Sequence, residues 1–201
     1  MHLLHIADIV GIIAFALSGY WVAAAHKLDF LGAFILAFLT ALGGGVVRDV
    51  IVGKIPDALT SNIPALLVLA VVFIAYFMKL HRFFDYQKKH VFILSDTIGL
   101  GSFSISGALA ALQYELGFFG TLLLALTTAV GGGILRDILL NEVPFILKTG
   151  FYGTVALIVG AIVYLLDHFG FINLFTLFLL LLFAIFLRLM AIRRNWRLPK
   201  L

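Results

Sequence analysis

The sequence predicts an all-α, polytopic membrane protein. Its seven transmembrane helices form an inverted repeat of three and three, plus one. Three observations predict this. Of the 201 residues, 63% are hydrophobic and 12% are charged, whereas a soluble domain runs about 45–50% apolar and about 25% charged. A soluble core of this size could not hide so much apolar surface, and disorder fails on the same ground. The apolar residues also lie in long continuous runs, unlike the alternating segments of about ten that build an outer-membrane barrel. At about 20 apolar residues per span, the chain holds roughly seven spans and no separate soluble domain. Finally, the sequence matches itself at an offset of 88 residues.

In order, the spans are expected at 6–25, 30–52, 62–79, 91–112, 118–140, 150–167 and 171–190 of a single 1–201 transmembrane domain. The first resembles a signal peptide with a small-residue end at Ala23-Ala24-Ala25. It lacks a basic n-region and carries Asp8 early, which argues against cleavage. The longest connection, Lys79 to His90, is basic and aromatic, as suits a membrane interface. With the N-terminus outside, the inner segments hold Lys27, Lys79, Arg82, Lys88, Lys89, Lys148, Arg188, Arg193, Arg194, Arg197 and Lys200. The outer segments hold only Lys54. The positive-inside rule therefore places the N-terminus outside and the C-terminus in the cytoplasm. The net charge of +4 is then a topology signal and not a sign of nucleic-acid binding. The chain has no cysteine, so it has no thiol chemistry.

Residues 8–56 match 96–144 without a gap at 19 of 49 positions. Asp8 aligns with Asp96, Ser18 with Ser106, Thr40 with Thr128, and Pro56 with Pro144. Repeat one covers 6–79, repeat two covers 91–167, and the helix at 171–190 has no counterpart. Three spans per copy make the second copy enter the membrane from the opposite side. This is the inverted plan common in transporters, with a site near the repeat interface. The unmatched helix belongs at the periphery or at a subunit contact.

The sharpest motif is a doubled GGGxxRD: Gly43, Gly44, Gly45, Arg48 and Asp49 in the second span, and Gly131, Gly132, Gly133, Arg136 and Asp137 in the fifth. Each glycine costs about 1 kcal/mol against alanine inside a helix, so three together permit a kink. Broken helix at membrane depth is tolerated where it is buried or lines a water-filled cavity, and its freed carbonyls can coordinate a cation. Close packing through small residues is the competing explanation. Arg48 and Asp8 fall at similar depth, roughly 6 Å inside one face, and Arg136 and Asp96 mirror them at the other. Ion pairs Asp8–Arg48 and Asp96–Arg136 are expected, with Asp49 and Asp137 as alternative partners. They form either charged mouths of a pathway or structural clamps.

Asp8, Gly11, Phe15, Ser18 and Val22 share one helical face, and Asp96, Gly99, Phe103 and Ser106 repeat it. The hydroxyls of Ser18, Ser106, Thr40 and Thr128 suit transient coordination of a monovalent cation, or interhelical hydrogen bonds. Pro56 and Pro144 read as helix stops. His2, His5 and Asp8 have a weak metal-like spacing that reads better as interfacial side chains, so no metal is assigned. No zinc-protease, nucleophile-elbow, phosphate-loop or dinucleotide motif occurs, so no enzyme and no cofactor are expected.

Seven helices, a 3+3 repeat plus one, and triple glycines in the second and fifth spans resemble the prokaryotic trimeric intracellular cation (TRIC) channels. Their bacterial members are also described as tandem glycine-transporter-like proteins. The resemblance covers essentially the whole chain. It implies a bacterial or archaeal inner-membrane homotrimer with a pore in each protomer, permeated by potassium and sodium, with bound lipid as a further partner. It also implies kinked second and fifth helices that line the pore with the first and fourth, hinged at Gly43, Gly44, Gly45, Gly131, Gly132 and Gly133. Animal members serve the endoplasmic or sarcoplasmic reticulum; this chain lacks their long polar tails. The expected function is a passive monovalent-cation channel, against a secondary transporter of a small solute such as glycine or a non-transporting scaffold.

Overall fold

The computed structural model describes residues 2–80, 87–148 and 151–196. Arg82, Arg197, Lys200 and the expected start of the sixth span at residue 150 lie outside the described residues. Among the described residues the chain is helical: α1 (His2–Ala25), α2 (Phe30–Ile51), α3 (Asp57–Thr60), α4 (Ile63–Phe77), α5 (Gln87–Gln113), α6 (Phe118–Leu139), α7 (Phe145–Lys148), α8 (Tyr152–His168) and α9 (Leu174–Arg193). Helices α1, α2, α5, α6 and α9 are long and apolar enough to cross a membrane, and α4 and α8 are shorter apolar helices. The seven expected segments thus all appear as helices. The single turns α3 and α7 are additions that the apolar pattern is too coarse to show.

The second copy retraces the first even where residues differ. Lys27 and Glu115, one repeat apart, both adopt left-handed backbone after a helix, as do Gly53 and Asn141. Each lets the chain fold back and satisfy a terminal carbonyl. Leu28 N–H donates to the Ala23 carbonyl and Leu116 N–H to that of Ala111. Lys54 N–H donates to the Asp49 carbonyl and Glu142 N–H to that of Asp137. Helix starts are less alike: Asp29 caps α2 by accepting from Gly32 N–H at 2.7 Å, whereas Gly117 precedes α6 without a side-chain cap. A reciprocal Asn173–Thr176 capping box opens α9.

Helices α1, α2, α5 and α6 form the centre. On its flanks, α4 packs against α1 and α2, α8 against α5 and α6, and α9 against α5 and α8. The outer face of α9 is apolar and exposed at Phe175, Phe178, Leu182 and Phe186. The contacts between α1 and α5 are reciprocal. Asp8 meets Ser106, Gly11 lies under the Phe103 ring, Gly99 lies under the Phe15 ring, and Ser18 meets Asp96. Each step up one helix is a step down the other, so the two run antiparallel. At the crossing Phe15 and Phe103 stack edge to face with centroids 5.3 Å apart, an arrangement worth about 0.5–1.5 kcal/mol beyond the area it buries. Both rings are fully buried.

The glycines beneath these rings make that crossing possible, since a Cβ on Gly11 would overlap the Phe103 ring. Gly11→Val should therefore lower thermal stability in detergent by about 1–3 kcal/mol. Adding Phe103→Ala should recover part of the loss, because residues in contact are non-additive.

Candidate functional site: two buried arginine networks

The sequence places Arg48 one turn from the end of α2 and Arg136 one turn from the end of α6. Both side chains are nearly inaccessible, at 3% and 2% exposure. A charge so buried must be matched by partners or it destabilises the fold. Arg48 Nη1 donates to Asp8 Oδ1 at 2.6 Å and to Ser106 Oγ. Its Nε donates to Asp49 Oδ1 at 2.9 Å, and its Nη2 lies 2.8 Å from the same oxygen. Ser106 Oγ in turn donates to Asp8 Oδ1. At the other end, Arg136 Nε donates to Asp137 Oδ1 at 2.8 Å. Its Nη1 donates to Ser18 Oγ at 3.2 Å and to Asp96 Oδ1 at 3.4 Å. Both expected pairs form, and Asp49 and Asp137 join them instead of replacing them.

Two features were not apparent from the sequence. The serine in each network belongs to the other repeat, so each arginine ties the two copies together. The motif aspartates also use their second oxygen: Asp49 Oδ2 accepts from Asp57 N–H at 2.9 Å, and Asp137 Oδ2 from Phe145 N–H at 2.6 Å. These bonds anchor α3 and α7. The signal was present as the equal spacing from Asp49 to Pro56 and from Asp137 to Pro144, which the reading of the prolines as helix stops does not use.

The two ends are not identical. Beside Arg136, Tyr152 hydrogen-bonds Asp96, and the Phe92 ring lies 5.3 Å from the Arg136 guanidinium. Arg188, assigned by sequence to an inner segment, lies inside α9 and is 2% exposed. Its guanidinium sits over the Tyr152 ring at 4.8 Å and near Phe145 at 5.8 Å. A cation over desolvated aromatic rings gains about 2 kcal/mol or more, and this contact docks α9 onto the second repeat.

The glycine triplets correct the expectation of broken helix, and not that of a kink. Both α2 and α6 are continuous helices through them, so no broken backbone frees the glycine carbonyls. The reason is tertiary: the glycines let the two helices touch. A Cβ on Gly44 would overlap the Thr128 carbonyl, and one on Gly132 would overlap that of Thr40. Gly43 and Gly131 face Gly132 and Gly44 across the same contact. The third glycine of each triplet differs. A Cβ on Gly45 would meet nothing within 4 Å, and one on Gly133 only the tip of Arg136 at 3.9 Å. The threonines also turn out to be helix-bound. Thr40 donates to the Leu36 carbonyl and Thr128 to that of Leu124, each at 2.6 Å, and both side chains are fully buried.

These geometries separate the glycines by outcome. Gly44→Ala and Gly132→Ala should each destabilise the protein by about 1–3 kcal/mol in thermal unfolding. Gly45→Ala should be neutral or stabilising by up to about 1 kcal/mol. Arg48→Leu, which strands Asp8 and Asp49 without their cation, should cost about 3–5 kcal/mol.

The whole arrangement has known counterparts. The family model described as Glycine transporter matches twice, over residues 5–80 and 93–168. The UPF0126 membrane protein YvgT of Bacillus subtilis is 36% identical over 197 residues, covering 96% of this chain and 93% of that protein. The UPF0126 inner membrane protein YadS of Escherichia coli is 34% identical over 194 residues, covering 96% and 93%. Among solved structures, one showing the basis of conductance through TRIC cation channels is 32% identical, with a TM-score of 0.84 over 98% of this chain and 96% of that one. A prokaryotic TRIC channel crystallised in 0.5 M KCl is 30% identical, with a TM-score of 0.88 over 98% of this chain and all of that one. The TRIC orthologue from Rhodobacter sphaeroides is 28% identical at the same TM-score and coverage. Twice-matched repeat, full-length relatives and shared fold agree: the chain belongs to the prokaryotic TRIC channel family, the group of bacterial membrane proteins that the glycine-transporter model describes.

Proposed function

We propose that the protein is a passive channel for monovalent cations, potassium and sodium, working as a homotrimer with one pathway in each protomer. The observation that carries this reading is the full-length correspondence with solved TRIC cation channels, at TM-scores of 0.84 and 0.88. All seven apolar helices cross the bacterial inner membrane in this reading, with the N-terminus outside and the C-terminus in the cytoplasm. The shorter α4 and α8 are accommodated by local thinning of the bilayer. The antiparallel α1–α5 contact then makes the two repeats an inverted pair, and the Arg48 and Arg136 networks lie at opposite mouths.

Ions would travel along the face bearing Gly45 and Gly133, where a Cβ on Gly45 would meet nothing within 4 Å and one on Gly133, itself buried, only the tip of Arg136. Phe15 and Phe103 fill the α1–α5 crossing between the two networks, and in this reading opening shifts the repeats across the glycine contact of α2 and α6. The glycine-transporter reading shares this fold. Coupled transport needs a titratable or ion-binding group near the midplane, and the buried ionised side chains described above cluster at the two ends.

Purified protein in planar bilayers under a KCl gradient should give unitary currents that reverse at the potassium potential. Saturable, electrically silent glycine uptake without such currents would overturn the channel. Gly45→Val with Gly133→Val should lower unitary conductance at least twofold while trimer elution is unchanged. The cysteine-free chain also allows a clean topology test. In whole cells Lys54→Cys should react with an impermeant maleimide, and Lys148→Cys only after permeabilisation; the reverse pattern would invert the orientation.

A further inference from the structure

The Arg48 end carries a group of side chains that its mirror image lacks. The ligand atoms of His5, Asp8 and Asp57 all lie within 4.8 Å of one another. One repeat further on, Asp96 replaces Asp8, but Ile93 stands for His5 and Phe145 for Asp57. The two copies therefore diverge at the positions that supply an imidazole and a second carboxylate. Asp57 Oδ1 accepts from Lys54 Nζ at 2.7 Å, whereas Asp57 Oδ2 is buried and has no hydrogen-bond partner among the described residues. A buried, unsatisfied carboxylate oxygen is costly, and it calls for a cation or donor beside it. Asp8 Oδ1 is occupied by Arg48 and Ser106, so its other oxygen is the one available.

We propose that His5, Asp8 and Asp57 form a transition-metal site of the zinc class at this mouth. One imidazole with two carboxylates suits zinc and its neighbours, whereas magnesium and calcium prefer all-oxygen shells with more ligands. Three protein ligands leave a fourth position for water. Tetrahedral ligands at zinc lie about 3.3 Å apart, so the three groups close by at most about 1.5 Å on binding. His5 is exposed in the first turns of α1 and supplies most of that movement, because Asp57 opens the single turn α3, which Asp49 anchors. His2, one turn before His5, is not part of the cluster; Asp57, distant in sequence, takes the place it could not fill. A divalent ion here adds positive charge beside Arg48 and opposes cation entry from this side only. That consequence rests on the channel reading, but the site itself does not.

The test is equilibrium zinc binding to the tag-free, full-length protein in detergent, read by competition with a chromophoric chelator. One zinc per chain is expected, weakened at least about tenfold in His5→Ala and in Asp57→Asn and unchanged in His2→Ala. Excess magnesium should not displace it. Absent binding, equal affinity in His5→Ala, or loss in His2→Ala without loss in Asp57→Asn would overturn the site. Binding is measured without current, so failure of the channel reading leaves this result intact. If the protein conducts, zinc on the N-terminal side should reduce potassium current and zinc on the other side should not.

Discussion

A guanidinium buried inside an apolar bundle must keep its partners, because losing one leaves a charge that neither lipid nor core can solvate. Arg48 and Arg136 impose this constraint at the two ends of the molecule, and the fold is arranged to meet it. Each arginine draws one carboxylate from the first helix of its own repeat, one from the next residue, and a hydroxyl from the opposite repeat. The opposite repeat can deliver its serine only if α1 and α5 cross antiparallel in one register. Each repeat neutralises its own arginine with carboxylates, and repeat pairing completes the hydrogen bonding with the opposite serine.

Between the two networks the problem changes from charge to shape. Aromatic rings on α1 and α5 sit over glycines of the partner helix, and glycines of α2 and α6 let two backbones touch. Small residues do this work in membranes because the association of helices there rests on close van der Waals contact. The third glycine of each triplet takes no part in that contact: a Cβ on Gly45 would meet nothing within 4 Å, and Gly133, itself buried, has only the tip of Arg136 nearby. One short motif thus combines a tight crossing with a loosely packed position, and the two fall on different residues.

Departures from symmetry give the two ends different chemistry. Asp57 and His5 lie at the Arg48 end, where the second repeat has Phe145 and Ile93. Tyr152 and Arg188 lie at the Arg136 end, and Arg188 comes from a helix that has no twin. The Arg48 end gains an imidazole and the Asp57 carboxylate, and the Arg136 end gains Arg188 and the rings of Phe92, Phe145 and Tyr152. A pathway between such ends would not treat the two directions of flow alike.

The sequence by itself determined the seven apolar helices, the repeat and the set of carboxylates from which both arginines draw their partners. Hydrophobic run length, internal identity and the cost of burying a charge are local or pairwise facts, legible along the chain. It also showed that Gly43–Gly45 and Gly131–Gly133 mattered, but not how. A glycine weakens a helix in isolation, so a break is the natural reading; contact with a second backbone reverses it, and that contact exists only in the packed structure. The cross-repeat serines, the anchoring of α3 and α7 by Asp49 and Asp137, the burial of Arg188 and the meeting of His5 with Asp57 were likewise decided by tertiary structure. Each depends on which helix lies opposite, and helix periodicity specifies a face without naming its neighbour.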